Sequence, residues 1–214
     1  VHALKINRQS PLRLKIEAVC MSKKIMLNSY ARYFTVKPII LVTTFGPHGL
    51  PNVAPKTQSM DVGRSEEYFA FVCVPEHHTY QNARANKEFV VNYPGPELIE
   101  KVSASSQHAE NVDEVTLAGL TAIPSLVVKP PRIKECKVHL ECKLVDIMDL
   151  DTASIIVGKI VARSSDKEVS FEHGKAKENI KLLSEHPLLA YVHPGHYARL
   201  HVAKEFPFPK NYKP

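Results

Sequence analysis

PIILVTTFGPHGLPNVAP, Pro38–Pro55, decides the fold. Its β-branched apolar run Ile39–Thr44 predicts a strand, and Gly46-Pro47-His48-Gly49 predicts a turn. A return strand is then expected from Asn52 to about Asp61. Working outward, EYFAFVCV (Glu67–Val74) reads as a third strand, closed by Pro75. HHTYQNARANKEFVVNY (His77–Tyr93) follows, with a short helix over about Thr79–Asn86 leading into an apolar strand, Phe89–Tyr93. Thr79 reads as the helix cap, with Asn82 three residues on. A helix start turns unpaired backbone N–H groups outward, an arrangement that holds a phosphate. The eight glycines form neither GxGxxG nor a Walker sequence, so such a cradle would lie outside a Rossmann or P-loop fold.

The rest of the chain continues the pattern of many strands and few helices. Ser29–Val36 (SYARYFTV) follows the arm and ends before Lys37-Pro38, where proline discourages helix. After Pro94-Gly95-Pro96, Glu97–Gln107 has helical spacing, with Leu98, Ile99 and Val102 on one side. Ser125–Val128, Arg132–Ile147 and Ser154–Ala162 predict further strands, Gly174–Ser184 a helix, and a Pro-rich tail closes the chain. Strand–helix–strand alternation is irregular. The expected class is mainly β with a few helices, a closed or partly closed barrel and not a parallel α/β sheet.

Composition narrows the function classes. Of the formal net charge of +6, five units belong to residues 1–24, so residues 25–214 are nearly neutral. We read residues 1–24 as a basic N-terminal extension outside the fold, and residues 25–214 as a single domain. Basicity confined to an arm argues against nucleic acid as a partner, since a nucleic-acid surface shows as a stripe on the folded domain. No apolar run reaches the roughly 18 residues of a membrane span, and a cytoplasmic location is expected. Cys136 and Cys142 sit six apart in KECKVHLECKLV, roughly 20 Å on one straight strand and beyond disulfide reach. Both read as small core residues. His193, His196 and His201 lie close in sequence, but their spacing matches no zinc pattern and Pro194-Gly195 predicts a turn, so no metal site is assigned.

Five fragments in order carry a resemblance: PIILVTTFGPHGLPNVAP, HHTYQNARANKEFVVNY, LAGLT (Leu117–Thr121), ECKLVDIMDL…IIVGKIVAR and HYARL (His196–Leu200). Together, over nearly all of residues 35–200, they resemble the flavin reductase-like proteins of the FMN-binding split-barrel fold. The resemblance implies a homodimeric split β-barrel holding FMN, with FAD the less frequent alternative. It also implies NAD(P)H as a transient hydride donor. By the same resemblance, Ala54, Pro55, Lys56, Thr57, Gln58, Ser59 and Met60 lie against the isoalloxazine ring and phosphate arm. Cys73 and Val74 match the strand end beside the ring, and His78, Thr79 and Asn82 the turn that receives the phosphate. Ala118, Gly119 and Leu120 match a loop that approaches closely, and Tyr197 and Arg199 the C-terminal segment near the cofactor. The chain departs from the family pattern at Lys56, where an aromatic or small residue is frequent. It departs also at His77-His78, which replace the usual basic residue before Thr79, and at Thr116, before Ala-Gly-Leu.

The implied reaction is hydride transfer from NAD(P)H to the flavin, and on to an acceptor. The cofactor carries that chemistry, so no catalytic side chain is assigned and the absence of GxSxG or HExxH is expected. A non-catalytic flavin-binding or electron-relay protein, with ferric iron or a partner protein as acceptor, is the alternative on the same fold. Each residue also has a plainer reading. Thr79 and Asn82 would suit an ordinary helix start, Cys73 the core, Gly119 a turn, Arg199 a surface ion pair and Lys56 a solvated strand position.

Overall fold

The computed structural model describes residues 35–107, 109–170 and 176–204, together with 207 and 209; of residues 176–180 only the backbone is described. All fall within one compact unit that starts at Tyr33. The basic extension, Cys20, most of Ser29–Val36 and most of the Pro-rich tail lie outside the described residues.

In chain order the strands and helices are β1 (Thr35–Pro38), β2 (Ile40–Phe45), β3 (Pro51–Lys56), β4 (Ser59–Val62), β5 (Tyr68–Cys73), α1 (His78–Asn86), β6 (Glu88–Tyr93), α2 (Ile99–Ala104), α3 (Glu114–Leu117), β7 (Ala122–Ile123), β8 (Arg132–Ile133), β9 (Val138–Asp149), β10 (Ser154–Ser165), α4 (Ala176–Glu185), β11 (Leu188–His193) and β12 (His196–Leu200). Seven strands form one antiparallel sheet in the order β3-β2-β6-β9-β10-β5-β4, and β1-β11-β12 form a second sheet. The mainly β split-barrel class expected from the sequence is the one found.

The two edges of the large sheet are β3 and β4, which are consecutive in sequence and joined only by Thr57-Gln58. Three Cα steps separate Lys56 from Ser59, so the edges lie within about 11 Å of each other. The sheet must therefore curl until its edges meet, without a hydrogen-bonded ladder between them. That unpaired seam is the split in the barrel. The single strand expected from Asn52 to Asp61 is thus two strands on opposite edges. Pro55 is tolerated because β3 is an edge strand.

Strand β2 explains the unbroken apolar run. Ile40 and Val42 point into a core with Phe69, Phe71, Phe89, Val91, Cys142 and Ile156. Ile39 and Leu41 lie in a second core with Val53, Val115, Ile133, Cys136 and Leu189. Both faces are buried, so side chains alternate between two cores and not between core and water. Cys136 and Cys142 are both fully buried, in different cores, as the core reading expected. Phe71 and Phe89 meet edge to face, with ring centroids 5.2 Å apart.

Gly158, at a register shift in β10, makes room for that aromatic pair. A Cβ there would come within 3.0 Å of Cys142 Cβ and still closer to Phe89 Cζ. Gly158→Ala is therefore expected to cost about 1–3 kcal/mol in a urea unfolding titration, as overpacking does. An unchanged midpoint would show that the Phe89 ring can move aside.

One expected strand is replaced by a side-chain-built turn, and another is interrupted by one. Ser125–Val128 is not a strand, because the backbone N–H groups of Leu126, Val127 and Val128 donate to the buried Glu141 carboxylate at 2.7, 2.7 and 3.2 Å. Arg132–Ile147 is broken after Ile133, where the Ile133 N–H donates to Asn92 Oδ1 at 2.9 Å and the Ile133 carbonyl accepts from His139 Nε2 at 2.9 Å. Glu97–Gln107 shortens to a 3-10 turn, Pro96–Leu98, followed by α2.

His139 is buried, and desolvation holds its imidazole below the usual histidine pKa. The unfolded chain, with an ordinary value near 6.5, takes up a proton that the folded chain refuses. Stability contributed by neutral His139 is present above about pH 6.5 and is lost as pH falls below it. The urea midpoint should fall between pH 7 and pH 5, with a shallower slope in His139→Gln. Equal slopes would assign the acid sensitivity to other groups.

Candidate functional site

The site is built where α1 leans on the β2–β3 hairpin. His48 and Gly49 adopt left-handed backbone in the turn, which sets Asn52 directly opposite Thr44. Helix α1 then arrives with Thr79 and Asn82 facing the hairpin. Thr44 Oγ1 donates to Asn52 Oδ1 at 3.1 Å and accepts from Asn82 Nδ2 at 3.1 Å. Thr79 Oγ1 donates to the same Asn52 Oδ1 at 3.4 Å. All four side chains are buried, so this polar network locks the helix start against the sheet.

Thr79 is not the helix cap. α1 starts at His78, its N-cap is His77, and no side chain caps it. Thr79 lies inside the first turn because its hydroxyl is used sideways, toward Asn52. His78 and Thr79, in the first turn, line a cavity of about 160 Å³ together with Asn52, Ala54, Pro55, Lys56, His77, Ser105, Ser106, Gln107 and Glu114.

Lys56 is the notable member of that lining. It ends β3 only 9% exposed, and no carboxylate pairs with it among the described residues. Its ammonium lies beside the Cys73 thiol. Burial raises the Cys73 pKa, and Lys56 opposes that rise without cancelling it. Cys73 is therefore a neutral thiol of the core. A buried lysine next to a helix N-terminus thus shares the small cavity with the Glu114 carboxylate.

Glu114, which sequence reasoning missed, sits on the opposite wall. It is 6% exposed, accepts from Asn52 Nδ2 and, at 3.4 Å, from the Val53 N–H, and bonds His78 Nδ1 at 3.1 Å. It opens α3 behind the Asp113 cap, whose carboxylate receives the Thr116 N–H at 3.0 Å. Sequence shows that cap, but nothing local distinguishes a buried carboxylate from a solvated first-turn one. On its far side a second cavity, about 370 Å³, is lined by Gly46, Leu50, Gln81, Asn82, Asn86 and Glu110 among others.

The remaining expected residues fall into separate places. Thr57, Gln58, Ser59 and Met60 line a third cavity, about 420 Å³, with Ala70, Phe71, Val72 and Ile155. The segment Ala54–Met60 thus runs from the small cavity across the seam of the barrel into a mostly apolar one. Val74 is half-buried at the end of β5. Ala118 and Leu120 are buried in the second core, and Gly119 between them is exposed with φ +69°. Tyr197 is exposed on β12, and Arg199 borders a different apolar cavity beside Leu182 and Leu189. Within this chain Ala118–Leu120, Tyr197 and Arg199 are not brought together with the α1 site. The described residues contain no group of three metal-ligating side chains.

Comparisons with known proteins agree with this geometry. An uncharacterised protein of Methanothermobacter thermautotrophicus is 33% identical over 129 residues, covering 58% of this chain and 61% of that protein. The chain therefore spans about three-fifths of that relative's length. Among solved structures, flavoredoxin from Methanosarcina acetivorans superposes with a TM-score of 0.73 at 21% identity, covering 88% of this chain and 97% of that one. The 2-nitrobenzoate 2-nitroreductase NbaA of Pseudomonas fluorescens gives 0.71 at 23% identity, covering 83% and 87%. These likenesses carry the fold. The profile of the flavin reductase like domain matches residues 32–201, which takes in all the described sheets, and the chain accordingly belongs to the flavin reductase-like family of the split-barrel fold.

Proposed function

We propose that this protein binds FMN and takes a hydride from NAD(P)H, passing the electrons to an acceptor, as a cytoplasmic homodimer. The observation that carries the reading is the buried Lys56, without an ion-pair partner among the described residues, in the small cavity at the start of α1. A monoester phosphate would be held there by Lys56 and the His78–Thr79 start of α1, while the Thr79 hydroxyl stays on Asn52. Ala54–Met60 would then guide the rest of the ligand across the seam into the apolar cavity beside Val72 and Ile155. When bound, the flavin supplies the hydride acceptor and the electron store. The protein's part is to hold the phosphate, to orient the ring along Thr57–Met60 and to leave a face open for a nicotinamide.

The homodimer reading rests on the outer face of β4, β5, β9 and β10. Register places Met148, Ile155 and Val72 side by side, with Val157, Ala70 and Met60 in a neighbouring row. Met60 is 60% exposed and Met148 56%, on the face that continues into the apolar cavity. A contiguous apolar face of this kind is covered in stable assemblies, and a second copy would cover the ring at the same time. Met60→Asp is expected to turn a dimer into a monomer in sedimentation and to lower flavin retention with it. A monomeric wild type that keeps its flavin would remove the shared-interface placement. Among the described residues no helix is long and apolar enough to cross a membrane.

The deciding experiment is a visible spectrum of the purified protein, before and after anaerobic NADH and then NADPH. Flavin absorbance that bleaches with either nicotinamide supports the reductase. Bound flavin that stays oxidised favours the electron-relay alternative. Protein that takes up neither FMN nor FAD overturns the proposal.

A further inference from the structure

The small cavity and the larger cavity behind it have three lining residues in common, Asn52, His78 and Glu114. Those three are also bonded to one another: Glu114 takes Asn52 Nδ2 on one carboxylate oxygen and His78 Nδ1 on the other. They form a wall. On one side are Lys56, Thr79 and the start of α1; on the other are the carboxamides of Gln81, Asn82 and Asn86, with Glu110 and no lysine or arginine in the lining.

We propose that Glu114 is a specificity-determining residue, closing the far side of the phosphate site so that the protein accepts a flavin mononucleotide and refuses the dinucleotide. This rests on the flavin reading above and names the cofactor within it. A mononucleotide ends at its phosphate, which the small cavity can enclose. A dinucleotide continues through a second phosphate into an adenosine, and about 160 Å³ is well below the roughly 300 Å³ at which pockets for such groups begin. The space that could take the adenosine is the cavity of about 370 Å³ beyond the wall, whose carboxamides suit the edge of an adenine.

Reaching it requires Glu114 to move. Asn52 Nδ2 and the Val53 N–H would then lose their acceptor in a buried place. A second phosphate in the gap would face a carboxylate, a like charge in poorly hydrated surroundings. Steric closure and charge therefore act against the same ligand; a terminal phosphate in the small cavity also faces Glu114, but there Lys56 opposes that charge and no closure has to open.

The test is a pair of dissociation constants, for FMN and for FAD, measured by quenching of flavin fluorescence with the full-length protein and its Glu114→Gln and Glu114→Ala variants. Wild type should prefer FMN by at least about tenfold, a difference of about 1.4 kcal/mol. Glu114→Ala, which opens the wall, should bring the two constants within about threefold of each other, mainly by tightening FAD. Glu114→Gln removes the charge and keeps the size, and should fall between. Wild type binding FAD as tightly as FMN would overturn the proposal, as would variants that weaken both ligands alike. If Glu114→Ala melts below the assay temperature, an unchanged ratio in folded Glu114→Gln overturns it as well. Failure of all three proteins to bind either flavin would instead overturn the flavin reading, and the cofactor choice with it.

Discussion

Replacing Lys56 by methionine is expected to raise the dissociation constant for FMN by about one to two orders of magnitude while leaving riboflavin nearly unaffected. Hydrogen bonds to charged groups are worth about 1.5–3 kcal/mol, and Lys56 is the one cation in the lining of the small cavity besides two histidines. Riboflavin has the same ring and ribityl chain without the phosphate, so the contrast isolates the phosphate contact. Folding should survive, because the substitution takes a charge without a carboxylate partner out of a buried position. Equal losses for FMN and riboflavin would place Lys56 against the ring and leave the α1 start without its anion.

The second large effect concerns the fold. Glu141→Ala is expected to cost about 3–5 kcal/mol in urea unfolding, the range for breaking a buried charged group away from its partners. Its carboxylate, 1% exposed, accepts three successive backbone N–H groups and lies 3.8 Å from Arg132 Nε. Without it, three donors in the 126–128 turn lose their acceptor and the Arg132 guanidinium loses its ion pair, though not its bonds to Pro124 and Ser164. Glu141→Gln keeps one oxygen and should lose less. A cost below about 1 kcal/mol for alanine would mean that water replaces the carboxylate fully.

Much of the architecture is legible in local chemistry. The β2 run, the Gly-Pro turn, the third strand ending at Pro75 and the helix before Phe89 all appear within a residue or two of expectation. Each rests on neighbours in sequence: β-branched content, prolines and glycines that punctuate. The errors share one cause. Ser125–Val128 has strand composition, but Glu141, from a strand thirteen residues later, takes its N–H groups. Thr79 has the chemistry of a cap, but Asn52 claims its hydroxyl from 27 residues away. The continuous strand from Asn52 to Asp61 fails because the barrel's two edges need the two residues Thr57 and Gln58 as their bridge.

The candidate site divides the same way. Sequence alone determined the β-rich class, the family resemblance and the two segments that meet at the small cavity, since strand patterning and the order of motifs are properties of the chain. Only the tertiary structure decided that Lys56 is buried without an ion-pair partner among the described residues, that Glu114 lines the same small cavity, and that Tyr197 and Arg199 lie apart from it. Burial and charge pairing depend on which residues distant in sequence share one small volume. No local pattern records that before the sheet has curled.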